Sequence, residues 1–586
     1  MHIKRLMTAT VAFVIILSLN CSPKISDSID NELSRETHVA FAGGGWRAHT
    51  GHSAWIMSLL QANNNPGGCS LTSPTGNATC LQSAFKNIKT ISSNSGGSWF
   101  STMLMYDAGF VNQITNQNAI SNWGSTVSGT YQGWLGRQKN AFAGFTDCSK
   151  KKGNAYLECV IKDYFSGSSL DPYPNWNLVV QNLVYKGYQW QSYGKLNDRN
   201  HLNWAKDKTL LMAGTWLTNS VLLNDQDNET YYQVCAPGNT VVLNGENGGS
   251  CITQGGATEL LPDILPVTFT SLAETGPTRQ KPSFIGTTSS TYPMGYSGTP
   301  KKDPQTATNS LVTGANQTDY VPVISAATAS SAATGYSTSY NVMKSKCDTW
   351  DCVYHAQELS VAFSIPNGTT QVNHIDNITI NQMSLKTLRD NRLLRVADGG
   401  VIDNSGIIQL IGYLQLNSKG NGFNIVAFDE VQSNDSRPVD RSKYPSSDIS
   451  YLFNDSPTGK YCEDGWCVQL PKLKILELPP AVNPIAHYTW TVVTPDGQPT
   501  SDKLDYYIYT VKTVSNSTFN IAGGSTGTLH VFSSQFGTAT TAPDNQGAFA
   551  SYESMIKNFG PTLQKMPDNG TSPLSGLEIL KQAFGL

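Results

Sequence analysis

Three short stretches of the chain carry residue types that can do chemistry. NSGGSWF, residues 94–100, sets Ser95 among glycines after an apolar run and before an aromatic pair. A serine hydroxyl is a poor nucleophile at neutral pH unless a base takes its proton and donors stabilise the oxyanion that forms. A tight strand-to-helix turn supplies part of this by exposing the side chain and aiming helix N-terminal amides at it. Gly96 and Gly97 let an acyl group approach the backbone. GGGWR, residues 43–47, presents Gly43, Gly44 and Gly45 in succession. Their N–H groups suit an anion or an oxyanion. A nucleotide phosphate loop is the competing reading, but neither G-K-S/T nor G-x-G-x-x-G is present. Arg47 follows at the predicted helix start, where its planar fork suits a phosphate or carboxylate. ADGG, ending at Gly400, supplies Asp398, a carboxylate at a predicted strand end. Each stretch also has a plainer reading: a glycine turn, a surface ion pair and an Asx turn.

The elements around these stretches share one pattern. HVAFA leads into GGGWR and a helical stretch HSAWIMSLLQA; IKTIS leads into NSGGSW and FSTMLMYDA; LLRVA leads into DGGVIDNSG and IIQLIGYLQL, with NIVAFDEV as a further strand. Strand, loop and helix in repetition predict an α/β fold with a parallel sheet. The three loops then fall at the C-terminal edges of strands, where open α/β sheets gather ligands. Residues 110–320, dense in Trp, Tyr, Asn and Gly, read as an irregular cap or lid inserted in the sheet order. SAATASSAATGYSTSY, residues 325–340, has the composition of a linker. Past residue 430 a polar loop, a β-rich stretch with HYTWTVV and DYYIYTVKTV, and a helical tail follow.

Taken together, GGGWR, SGGSW and a D-G-G after a strand resemble the patatin-like lipid acyl hydrolases, closest to the branch with the cytosolic phospholipases A and the fungal phospholipase B enzymes. The resemblance implies a three-layer α/β sandwich with a central, mostly parallel sheet. It implies Ser95 as nucleophile, Asp398 as its base, Gly43, Gly44 and Gly45 as the oxyanion hole, and Arg47 as the contact to substrate phosphate. The implied reaction is hydrolysis of fatty acyl esters of phospholipids or lysophospholipids through an acyl-serine, at a membrane or micelle surface. It calls for no cofactor, no metal and no obligate protein partner. The small-residue segment at 325–340 is similar to one these enzymes place upstream of the D-G-G strand, which argues against a linker. The motifs span residues 41–431, and the catalytic domain is expected over 36–586. Two departures stand out: Ser93 replaces the first glycine of G-x-S-x-G, and Gly406 stands where proline is common after D-G-G-V-x-x-N.

Composition narrows the alternatives. The net charge is -3 and 14% of residues are charged, which leaves no basic surface for a nucleic acid. MHIKR followed by the apolar residues 6–19 reads as an export signal, shorter than a membrane span. It predicts an extracellular or cell-surface protein with a signal over 1–21. Cys21 in SLNCS either leaves with the signal or carries a lipid anchor, although Ser18 stands where a lipoprotein signal usually has Leu. The other cysteines fall as sequence neighbours: Cys69 and Cys80, Cys148 and Cys159, Cys235 and Cys251, Cys347 and Cys352, Cys462 and Cys467. Local disulfides in an oxidising compartment are the simplest assignment. Two rivals remain open. One is a Ser-Asp-His hydrolase using His487 or His530, the other an exported binding or adhesion protein on a lipase scaffold. His49 and His52 lie one turn apart but lack an H-E-x-x-H context for metal.

Overall fold

The computed structural model describes residues 36–63, 79–115 and 134–142, most of 180–217, short strands between 220 and 293, residues 322–333, two strands at 361–364 and 379–380, and, with brief breaks, 393–586. The expected export signal over 1–21, Cys21 and most of the expected 110–320 insertion lie outside these residues. The protein is mixed α/β. In chain order the elements that matter for the site are β1 (Thr37–Phe41), α1 (Gly45–Ala62), β2 (Ile88–Ser93), α2 (Ser95–Tyr106), β3 (Thr209–Leu217), β4 (Ile264–Thr270), α3 (Val323–Ser330), β5 (Leu393–Asp398), α4 (Gly400–Asp403), α5 (Ile407–Leu416), β6 (Phe423–Gln432), α6 (Ser447–Phe453), β7 (Ala486–Val493), β8 (Pro499–Thr513), β9 (Thr526–Phe536), α7 (Gln546–Leu563) and α8 (Gly576–Ala583).

The central sheet runs in the order β5-β3-β2-β1-β6-β9-β8, with β4 also paired to β3 and β7 to β8. From β3 to β9 every neighbouring pair is parallel. Antiparallel strands flank this parallel core on both sides, β5 and β4 against β3, and β8 against β9. Strands in the middle of such a sheet are buried on both faces and read as continuous apolar runs. VAF in β1 and IVAF in β6 obey this and are buried throughout. Their side chains alternate between two cores. Val39, Phe41, Val426 and Phe428 join α1, α2, α3, α7 and α8 on one face. Ala40, Ile425 and Ala427 join α5 and α6 on the other. Helices therefore cover both faces. No helix among the described residues is long and apolar enough to cross a membrane.

The first two strand-loop-helix segments lie side by side as the sequence suggests, β2 parallel to β1. The third differs. β5 runs antiparallel to its neighbour β3, so the D-G-G loop is not a third copy of the parallel unit. β3 is long and overhangs β2: Ser93 at the end of β2 faces Met212, while β3 continues to Leu217. β5 pairs with that overhang, Asp398 opposite Gly214. Antiparallel entry along it still brings Asp398 to the end of the sheet where β1 and β2 release their loops.

The run at 325–340 begins as a packed helix. In α3, Ala326, Ala327 and Ala329 are fully buried. Small side chains are what allow it so close to β5, where the amides of Asp398 and Gly399 donate to the carbonyls of Ala332 and Ser330. Cys80 is disulfide-bonded, and Cys462 and Cys467 are register partners across a short hairpin. The pairs at 148/159 and 347/352 lie outside the described residues.

Trp55 of α1 anchors the first core. It is fully buried and its ring lies 4.8 Å from Phe559, 5.4 Å from Phe532 and 5.8 Å from Phe428, joining α7 and the sheet. Trp55→Ala should lower stability by about 3–5 kcal/mol. Denaturant unfolding checks this, and a loss under 1 kcal/mol would contradict the packing.

Candidate active site

β2 ends at Ser93, Asn94 caps α2 with extended backbone, and Ser95 opens the helix at φ +49°. Ser95 is the one non-glycine residue with positive φ among those described. A side chain in this conformation costs on the order of 1–3 kcal/mol and persists only where surroundings enforce it. Here the enforcement is close backbone contact. A β-carbon on Gly96 would lie 2.0 Å from the Gly45 carbonyl oxygen, and one on Gly97 would lie 2.3 Å from that of Phe41. The start of α2 is thus pressed against the glycine loop after β1, which only glycine permits.

Ser95 Oγ donates to Asp398 Oδ2 at 2.8 Å, and both residues are buried. Asp398 Oδ1 accepts the Gly400 amide at 2.7 Å. Thr215 Oγ1 donates to the Asp398 carbonyl at 2.6 Å, fixing the strand end. Both carboxylate oxygens are held, so the one facing Ser95 has a defined direction.

Ser93, which departs from the glycine motif, is accommodated by hydroxyls. Its Oγ donates to the Leu211 carbonyl at 3.2 Å and accepts from Ser101 Oγ at 2.8 Å. Ser330 of α3 completes the cluster, accepting the Ser95 amide at 3.1 Å and meeting Ser98 Oγ at 2.8 Å. Gly406 has a similar local reason. Its φ is +71°, closed to proline, whose ring fixes φ near -65°. Asp403 then takes the amides of Ile408 and Gln409 at 2.8 and 3.3 Å, stabilising the start of α5.

The three glycines of GGGWR are not equivalent. The Gly43 amide donates to the Asn404 carbonyl at 2.8 Å. It is engaged by the protein itself, unlike the uniform row of donors that the sequence suggests. Gly44, at φ +131°, and Gly45, at φ +57°, make the turn into α1. Their amides stand at a helix N-terminus, where N–H groups have no partner within the helix. Arg47 is 4% exposed. Its Nε donates to the Glu430 carbonyl at 3.0 Å and Nη1 to the Ala539 carbonyl at 3.5 Å. Nη2 is the atom a β-carbon on Gly44 would meet, at 2.8 Å. Burial pulls the guanidinium pKa below its usual value, against the opposing fields of Tyr552, Glu430 and Asp429.

The histidines serve other places. His530 bonds the Tyr506 hydroxyl at 2.7 Å and Asn424 at 3.0 Å. It sits on β9, three strand positions from β2, on the order of 14 Å at the usual strand spacing. Burial pushes its pKa down to about 4, so it is neutral at pH 7. His487, on β7, lies 3.2 Å from Asp505 and stacks on Tyr507. His49 stacks on Trp134 with Nε2 3.3 Å from the Met103 sulfur. His52 Nε2 donates to the Ala42 carbonyl at 2.7 Å, with Nδ1 3.5 Å from Glu430. His52 and Glu430 therefore underpin the glycine loop, a role without a local motif in the sequence.

Asp429, beside Phe428 on β6, is buried, and its Oδ2 has no hydrogen-bond partner. Burial first, then the field of Asp448, pushes its pKa from 3.8 up to about 7, against a hydrogen bond from Ser446. A carboxyl whose folded pKa is raised gives stability that is complete below its unfolded pKa and lost as pH rises through the folded value. The window here runs from about pH 4 to 7. Asp429→Asn, which stays neutral, should raise the thermal midpoint at pH 8 and change it much less at pH 5. Equal shifts at both pH values would contradict the assignment. Compared with known proteins, the chain matches no family model and no curated protein.

Proposed function

We propose that the protein is a serine acyl hydrolase of patatin-like type, acting on fatty acyl esters of phospholipids or lysophospholipids. The observation that carries this reading is the 2.8 Å hydrogen bond from Ser95 Oγ to Asp398 Oδ2, made at a strained strand-to-helix turn facing a glycine loop. Ser95 attacks the ester carbonyl while Asp398 takes its proton. Negative charge develops on the carbonyl oxygen, and the amides of Gly44 and Gly45 are the loop donors for it, that of Gly43 being engaged by Asn404. The tetrahedral intermediate collapses to an acyl-serine as the alcohol leaves with the proton from Asp398. Water, deprotonated by the same carboxylate, then releases the fatty acid.

A Ser-Asp pair without histidine is favoured over a triad because His530 and His487 are committed to Tyr506, Asn424 and Asp505. Arg47 is the candidate for a substrate phosphate, through Nη2 beside Gly44. Its two carbonyl contacts give it a second duty in holding the loop, so its replacement affects both roles. The finer features of the reading are a three-layer patatin-like sandwich, a lid drawn from the rest of 110–320, since β3 and β4 within that range belong to the central sheet and correct its bounds, and export with a signal over 1–21 or an anchor at Cys21. They rest on sequence resemblance and composition.

A fluorophosphonate probe should label Ser95, and Ser95→Ala should abolish both labelling and release of fatty acid from mixed diacyl- and lysophospholipids. Asp398→Asn should cost roughly 10³-fold or more in kcat. His487→Ala and His530→Ala, if folded, should keep activity within about tenfold of wild type; loss as deep as that of Asp398→Asn would restore the triad. An unlabelled, folded wild type would mark a binding protein instead. Arg47→Gln should depress phospholipid cleavage more than cleavage of a neutral ester, and equal losses on both would remove the phosphate role.

A further inference from the structure

Asn404 touches the parts of the site that the chemistry needs in register. Its backbone carbonyl accepts the Gly43 amide at 2.8 Å. Its Oδ1 accepts from Nδ2 of Asn94, the residue before the nucleophile, at 3.2 Å. The same oxygen is what a β-carbon on Gly43 would meet at 2.2 Å, and one on Gly400 at 2.7 Å. Asn404 itself closes α4, the short helix begun by the D-G-G loop. One half-buried amide thus lies against the loops that carry the oxyanion donors, the nucleophile and the base.

The direction of these bonds is set from outside. Asn404 Nδ2 donates to Asp448 Oδ2 at 2.6 Å, and Arg437 Nη1 donates to Asp448 Oδ1 at 2.7 Å. A carboxylate only accepts, so the Asn404 amide must turn its NH2 toward Asp448 and its oxygen toward Asn94. Asn94 is then held with its NH2 toward Asn404 and its Oδ1 toward Gly399, where a β-carbon would lie 2.5 Å away. Asp448 stands in the first turn of α6, whose cap Ser446 accepts the Ile449 amide at 3.2 Å. The anchor is therefore a fixed element rather than a free side chain.

Resting on the hydrolase reading above, we propose that Asn404 is a positioning residue, aligned by Asp448 and Arg437, that holds the glycine loop and the nucleophile turn at fixed separation from the Asp398 loop. It touches neither substrate nor the reacting atoms. Its effect should fall on the step in which charge develops, because a misplacement of about 1 Å between nucleophile and oxyanion donors can cost on the order of 10²-fold. Substrate binding should change little.

The test compares kcat and KM for release of fatty acid from a lysophospholipid. Asn404→Ala should lower kcat roughly 10- to 100-fold with KM within about twofold of wild type. Asn404→Asp keeps the acceptor toward Asn94 but sets carboxylate against carboxylate, and kcat should fall similarly. The double exchange Asn404→Asp with Asp448→Asn restores a donor and acceptor in the reverse sense, and should recover kcat to within about threefold of wild type. With kcat expressed per site titrated by the fluorophosphonate probe, a role in folding alone would lower the titre and leave kcat per labelled site unchanged. An active wild type whose kcat survives Asn404→Ala, or a double exchange no faster than Asn404→Asp alone, overturns the positioning role and leaves the hydrolase reading intact. A wild type that neither labels at Ser95 nor turns over overturns both.

Discussion

The hydrogen bond between Ser95 and Asp398 joins residues 303 positions apart, and everything proposed for this protein depends on it. Their strands do not pair with each other: β2 pairs with β3 from Thr209 to Met212, and β5 pairs with it farther along, from Gly214 to Trp216. What brings the side chains together is register. Ser93 aligns with Met212 and Asp398 with Gly214, so the carboxylate arrives just beyond the end of β2, at the height where Ser95 emerges. Gly214 suits this crowded place because a β-carbon there would lie 2.8 Å from Val396 and 2.9 Å from Val267. A shift of one residue in this pairing would turn Asp398 to the other face of the sheet.

Around that bond the site is built from backbone pressed against backbone. The glycines before and after Ser95 on the two loops are not there for flexibility. They let α2 and the turn into α1 approach until carbonyl oxygens occupy the space of side chains. Polar groups buried in such contact are costly without partners. The serines at 93, 98, 101 and 330 supply partners for one another and for the Ser95 amide. The strained φ at Ser95 is then held by many small constraints.

Much of the fold was legible in the chain. Buried strands such as those carrying IVAF and VAF announce themselves by continuous apolar residues, and the glycine loops by their composition. The direction of β5 was not legible. LLRVA followed by a glycine loop and a helix looks the same whether its neighbour runs parallel or antiparallel, because strand direction is set by partners distant in sequence. The unequal roles of Gly43, Gly44 and Gly45 were hidden for a related reason. Only the carbonyl of Asn404, folded back from the D-G-G loop, distinguishes the first from the others. Asn404 lies inside a motif that drew attention to Asp398, yet nothing local marks it as a tie between loops.

By itself the sequence determined the chemical inventory: a serine in a glycine turn, an aspartate before two glycines, a glycine run before arginine, and strands long enough to present them. Residue type and near-neighbour spacing suffice for that, because turn propensity and apolar patterning are local. Only the tertiary structure decided which side chain meets Ser95, that His530 and His487 are engaged elsewhere, and which loop amide is already bonded. Those are questions of distance between segments hundreds of residues apart, and distance is fixed by sheet register and core packing rather than by any one stretch of chain.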